Sequence, residues 1–145
     1  MFSFSEPNAT MITTHAKMVL HIDDDEDDRQ LVRETVQQID SRIIVHQTND
    51  GHEGLQFLRQ AKQLNQLSCL VILDINLPGI DGKQVLMEIR KDSELANLPM
   101  VLFTTSSSPI DKMFADRHRV ELVTKPHKYD AAPETIRRLL GNCGE

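Results

Sequence analysis

Short apolar runs that lack polar alternation and stop abruptly at a polar residue constrain this chain more than any other feature. Residues 18–22 read Met-Val-Leu-His-Ile and stop at Asp23. Residues 69–73 read Cys-Leu-Val-Ile-Leu and stop at Asp74, and residues 100–103 read Met-Val-Leu-Phe and stop at Thr104. Residues 42–48, with Ile43, Ile44 and Val45, and residues 120–124 give two further runs. Runs of this length without a period of two read as strands buried on both faces. Between them the apolar spacing turns helical. Leu31, Val32, Thr35, Val36 and Ile39 mark one helix. Leu55, Leu58 and Ala61 mark a second, and Val85, Leu86 and Ile89 a third. A fourth is expected from the Ser106 to Pro109 cap to Arg117, and a fifth over 129–140, closed by Gly141. Five strands alternating with five helices predict an α/β fold with a parallel sheet and helices on both faces.

Length and charge set the outer limits. The 145 residues suit one domain, predicted over 17–145 behind a flexible extension at 1–16, with no output domain. No apolar run approaches the roughly 20 residues of a membrane span. The net charge of −6 argues against non-specific nucleic-acid binding, for which a basic footprint is expected and none is visible. Cys69 and Cys143 lack metal-type spacing; the expectation is two reduced thiols in a cytoplasmic protein, with a disulfide left open. Met87, Met100 and Met113 are expected to fill core gaps, and His21 to pack within its strand.

The strand ends carry the chemistry. In an open parallel sheet all carboxyl ends lie on one edge, where ligands bind. Strand one ends at Asp23, Asp24 and Asp25, strand three at Asp74, strand four at Thr104 and Thr105, strand five at Lys125 and Pro126. Carboxylates gathered there repel one another, which raises a pKa and favours a hard divalent cation such as Mg²⁺. A carboxylate can also act as a nucleophile toward phosphorus, with a lysine and a hydroxyl stabilising the transferring group. Each residue alone has a duller reading: an Asp at a strand end is commonly a turn or a cap, which is the role expected of Asp25. Their joint occurrence at successive strand ends is what favours the functional reading.

On these residues the chain resembles the response-regulator receiver domains of two-component signalling. The matching segments are 21–25 (His-Ile-Asp-Asp-Asp), 72–82 (Ile-Leu-Asp-Ile-Asn-Leu-Pro-Gly-Ile-Asp-Gly), 103–106 (Phe-Thr-Thr-Ser) and 124–126 (Thr-Lys-Pro). The resemblance implies a flavodoxin-like, doubly wound five-stranded sheet of order 2-1-3-4-5, an order for which a chemotaxis receiver is a worked case. It implies Asp74 as phosphoacceptor, Asp24 as direct ligand of Mg²⁺ or Mn²⁺, Asp23 as a ligand through water, and Asn76 as a backbone-carbonyl ligand. It implies that Thr104 and Lys125 bind the phosphoryl group, that Ser106 and Asn76 modulate its lifetime, and that Lys125–Pro126 is a candidate cis peptide. The switch position of strand five holds Leu122 instead of an aromatic residue, and the connection 116–121 has no glycine. Residues 104–109 are similar to a subgroup of stand-alone receivers that pair with phytochrome-type histidine kinases.

The implied partners are a histidine kinase or phosphotransfer protein, a downstream protein target and a second copy of the chain, with no nucleic acid and no membrane. The chain is not expected to be an enzyme beyond promoting its own phosphorylation and dephosphorylation. A haloacid-dehalogenase-type phosphatase has its nucleophile after the first strand, whereas the nucleophile-like residue here follows the third, and Asp74-Ile75-Asn76 lacks the second acid of Asp-x-Asp. A flavodoxin-type cofactor binder would cradle phosphate where three aspartates stand here. The remaining alternative is a receiver-like interaction module that works without phosphorylation.

Overall fold

A computed structural model describes residues 17–105, 108–125 and 132–143. The elements run β1 (Met18–Ile22), α1 (Glu26–Ile39), β2 (Ile44–Thr48), α2 (Gly51–Gln63), β3 (Leu70–Asp74), α3 (Gly82–Lys91), β4 (Met100–Thr104), α4 (Pro109–Arg117), β5 (Glu121–Thr124) and α5 (Ala132–Leu140). A 3₁₀ turn, Gly141–Cys143, closes α5. All strand pairs are parallel, in the order β2-β1-β3-β4-β5. The alternation of buried runs and helices predicts the parallel sheet, and its order is the doubly wound, flavodoxin-like 2-1-3-4-5 that the receiver resemblance implies.

Burial explains the layers. Every residue of β3 and β4 is buried, as runs without polar alternation require. Alternate residues face opposite layers. Leu20, Ile22, Val71, Leu73 and Leu102 pack with Leu55, Leu58, Val85, Leu86 and Ile89 on the side of α2 and α3. Val19, Leu70, Ile72, Val101 and Phe103 pack with Val32, Val36, Ile136 and Leu139 on the side of α1 and α5. The edge strand β2 is only partly covered, and Ile44 is exposed. Of the three methionines expected inside, Met100 is buried while Met87 and Met113 are exposed on helix surfaces. Their helices turn other residues to the core, and helical position outweighs hydrophobicity there.

Local signals set the helix ends. Asp25 caps α1 by accepting from the Asp28 N–H, and Ser108 caps α4 by accepting from the Asp111 N–H, with Pro109 in the first turn. The glycine-free connection from α4 to β5 closes by a Schellman pattern. The Val120 N–H reaches the Ala115 carbonyl and the Arg119 N–H the Asp116 carbonyl, with Arg119 at φ 55°. An arginine thus takes the left-handed position glycine usually fills.

The two cysteines are joined, against the expectation of free thiols: Cys69 and Cys143 form a disulfide with Cα atoms 4.9 Å apart. The 3₁₀ turn after α5 returns to the start of β3, which brings together residues 74 positions apart. The predicted extension at 1–16, Ser106, the Lys125–Pro126 bond and the start of the last helix at Tyr129 fall outside the described residues.

Candidate functional site

Sheet register builds the site. Ile22 pairs with Leu73, so Asp23 follows on β1 where Asp74 ends β3. Asp74 pairs with Phe103, and Thr104 with Thr124. Backbone hydrogen bonds continue one residue past the strands: Asp23 N–H to Thr48, Ile75 N–H to Phe103, and Lys125 N–H to Thr104 at 2.7 Å. The four strand ends predicted to converge therefore do.

Asp23, Asp24 and Asp74 each offer a carboxylate oxygen within 4.8 Å of the others. Asp23 and Asp74 are buried and Asp24 is exposed. Lys125 Nζ lies 3.0 Å from Asp23 Oδ2, 3.3 Å from Asp74 Oδ2 and 2.8 Å from Asp28 Oδ2. Asp28, on the first turn of α1, is a member of the site that the motifs did not single out. Its distance from Lys125 in sequence hides the pairing. The Asn76 N–H donates to Asp74 Oδ1 at 3.2 Å, and the Asn76 side chain points to solvent. Thr104 is buried at the end of β4. Leu122 is half-buried, packed against the core on the α3 side. Ser106 and Pro126 are not among the described residues.

Electrostatics separate the two buried acids. Burial, then the Asp23 charge, pushes the Asp74 carboxyl up to about 6, only partly opposed by Lys125 and the Asn76 N–H. Burial also disfavours ionised Asp23, but the His21 contact, the Asp25 N–H and the Lys125 charge outweigh it and hold that carboxyl at about 2. Burial alone would depress the Lys125 pKa; the hydrogen bond to Asp28 and the charges of Asp23 and Asp74 raise it instead. Asp74 is thus a buried carboxyl whose ionisation is disfavoured, beside a fixed anion and a fixed cation.

The donor set fits a hard divalent cation. Three carboxylates are offered, and Asp23 Oδ2 is buried without an aligned hydrogen-bond donor, since its Lys125 and His21 contacts are ion-pair distances only. Such an acceptor is what a cation or its bound water would satisfy.

Gly82 makes the loop after Asp74 possible. A Cβ on Gly82 would stand 2.2 Å from the Asp74 carbonyl oxygen and 2.8 Å from Ile75 Cα. The glycine opens α3 directly behind Asp81, whose side chain caps the helix through a reciprocal bond with Gln84. Backbone, unlike a side-chain tip, cannot move aside. Gly82→Ala is expected to destabilise the fold by about 1–3 kcal/mol despite alanine's better helix propensity. Urea unfolding checks this, and a stabilised variant would contradict the close approach.

The family model for the response regulator receiver domain matches residues 19–137. This chain belongs to the response-regulator receiver family. The response regulator Rcp1 of Synechocystis sp. is 34% identical over 99 residues, which cover 66% of this chain and 66% of Rcp1. The sensor histidine kinase CheAY of Helicobacter pylori is 26% identical over 122 residues, 83% of this chain but 15% of that protein. The phosphorylated cyanobacterial phytochrome response regulator RcpA superposes with a TM-score of 0.79 at 26% identity, covering 88% of this chain and 93% of RcpA. Mn²⁺-bound Rcp1 superposes with a TM-score of 0.75 at 27% identity, covering 86% and 92%. Receiver domains are signalling modules of two-component systems, not classical enzymes, and they bind Mg²⁺ or Mn²⁺ at an acidic pocket; the aspartate cluster of this receiver is consistent with that. Among the described residues no helix is long and apolar enough to cross a membrane.

Proposed function

We propose that this receiver accepts a phosphoryl group on Asp74 and signals by changing its affinity for a protein partner or for a second copy of itself. One observation carries the reading: a buried carboxyl pushed up to about 6 stands 3.3 Å from a lysine ammonium and beside two further acids. The donor is proposed to be a phosphohistidine on a histidine kinase or phosphotransfer protein. An Asp74 oxygen attacks phosphorus, the phosphorus–nitrogen bond breaks, and its electron pair leaves with the imidazole. Asp23, Asp24, Asp74 and the Asn76 carbonyl would hold Mg²⁺ or Mn²⁺. When bound, that cation neutralises charge on the phosphoryl oxygens.

The chain's own residues do the rest. Lys125 keeps one ammonium directed at the acceptor and turns to the phosphoryl group once Asp74 is esterified. Thr104 donates its hydroxyl to a phosphoryl oxygen, while Ser106 and Asn76 govern access of the hydrolytic water. The new charge of about −2 draws Thr104 inward and shifts the β4, α4 and β5 surface between two states. With Leu122 in place of an aromatic residue, no ring flip accompanies the shift. Residues 104–109 and the similarity to Rcp1 and RcpA support a phytochrome-type kinase as donor, in a cytoplasmic setting.

The Asp74 side chain retains only 5% exposure. That cover is the observation that favours the second reading, a module that binds partners without phosphorylation. The two are separated by incubation with acetyl phosphate. The expected result is a mass gain of one phosphoryl group with Mg²⁺ and none with EDTA; no gain in either condition would defeat the phosphoacceptor reading.

A further inference from the structure

One polar network of the site is left unused by the mechanism above. His21 is fully buried in β1, two residues before Asp23, with its Nε2 3.4 Å from Asp23 Oδ2. Its other ring nitrogen, Nδ1, lies 3.0 Å from Gln47 Nε2 on the neighbouring strand. A ring nitrogen facing an amide nitrogen leaves the tautomer open until the amide's orientation is fixed. Here two further bonds fix it. Gln47 Nε2 donates to the Arg29 carbonyl at 2.8 Å, and Gln47 Oε1 accepts from Arg33 Nη1 at 3.0 Å. Turning the amide over would set its oxygen against a carbonyl and its NH₂ against a guanidinium. The amide therefore donates to His21 Nδ1, that nitrogen is bare, and the ring's one proton sits on Nε2, the nitrogen beside Asp23, where neither Nε2 nor Asp23 Oδ2 has another aligned partner.

We propose that His21 is a positioning residue for the divalent-cation site, locked by Gln47 in the tautomer that presents its N–H to the Asp23 carboxylate. The inference rests on the cation-binding reading of Asp23, Asp24 and Asp74 given above. A polar group packed against a ligand carboxylate limits the positions that carboxylate can take, and removal of such a partner lowers metal affinity by roughly 10–100-fold. The chain also gives the site a mechanical link to the surface. Arg33 on α1 holds Gln47, Gln47 holds His21, and His21 Nε2 stands 3.4 Å from Asp23 Oδ2. An apolar residue at position 21 would fill the same space without placing an N–H beside Asp23.

Two measurements decide it. In the metal-free protein, two-bond ¹H–¹⁵N spectra of the histidine rings are expected to assign His21 a protonated Nε2 and a bare Nδ1. In Mn²⁺ titrations of the full chain, His21→Leu is expected to weaken binding roughly tenfold or more. His21→Gln, whose amide NH₂ reaches the place of Nε2, is expected to recover most of the loss. If His21→Leu does not fold, Gln47→Met on the edge strand replaces it, with the same direction of effect expected because the tautomer is then unlocked. A protonated Nδ1, or unchanged Mn²⁺ affinity in the substituted proteins, would overturn the positioning role alone. A wild-type chain that binds no Mn²⁺ would overturn it together with the cation site.

Discussion

Replacing Asp74 by asparagine is expected to stabilise the metal-free receiver at neutral pH while removing its capacity to take up a phosphoryl group. Burial and the neighbouring Asp23 charge push the Asp74 carboxyl up to about 6, from an ordinary value of 3.8. The unfolded chain releases this proton near 3.8 and the folded chain near 6. Between those values the folded state binds more protons, so stability falls as pH rises through the window, and above it the full penalty is present. The difference between those two values corresponds to about 3 kcal/mol. Asparagine cannot ionise and escapes that penalty, though it gives up the Lys125 contact, so a net gain of about 1–3 kcal/mol is expected. Urea unfolding in EDTA checks this. The gap between variant and wild type should be wide at neutral pH and should close near pH 4. A destabilised variant, or a gap insensitive to pH, would contradict the electrostatic account. Added Mg²⁺ should narrow the gap by stabilising the folded wild type through binding.

Reduction of the Cys69–Cys143 disulfide carries a comparable expected effect. The bond closes a loop 74 residues in sequence separation. In the chain-entropy description, a loop of that length restricts the unfolded state by about 4 kcal/mol. Unfolding with and without a phosphine reductant should show a loss approaching that figure, and Cys143→Ser should match the reduced protein. An unchanged midpoint would mean that the bond does not form in solution. Such bonds are rare in a reducing cytosol. In the proposed cytoplasmic setting, the reduced chain and its lower stability are therefore the form that matters. Cys143 lies just beyond α5, so the loss should appear first as loosened packing of that helix against α1 and the sheet.

The parts of this architecture that were legible beforehand were written in short-range patterns. Buried runs such as 70–74 announce themselves because a central parallel strand needs apolar residues on both faces. The caps at Asp25 and Ser108 were legible because a cap needs only a side chain and an N–H three residues on. The convergence of Asp23, Asp74, Thr104 and Lys125 followed from parallel topology alone. What stayed hidden depends on pairs far apart in sequence. Asp28 meets Lys125 across 97 residues, and Cys69 meets Cys143 across 74. His21 read as a packed strand residue because Gln47, which fixes its tautomer, sits on a different strand. Met87 and Met113 are exposed because helical phase, not hydrophobicity, decides which side of a short helix faces water.

The identity of the modified residue tests the central claim most directly. After reaction with acetyl phosphate and Mg²⁺, borohydride reduces an aspartyl phosphate to homoserine, which peptide mass spectrometry can locate. The account predicts homoserine at position 74 and at no other aspartate. Homoserine at position 23 or 24, or an unmodified Asp74 in protein that has gained a phosphoryl group, would contradict it.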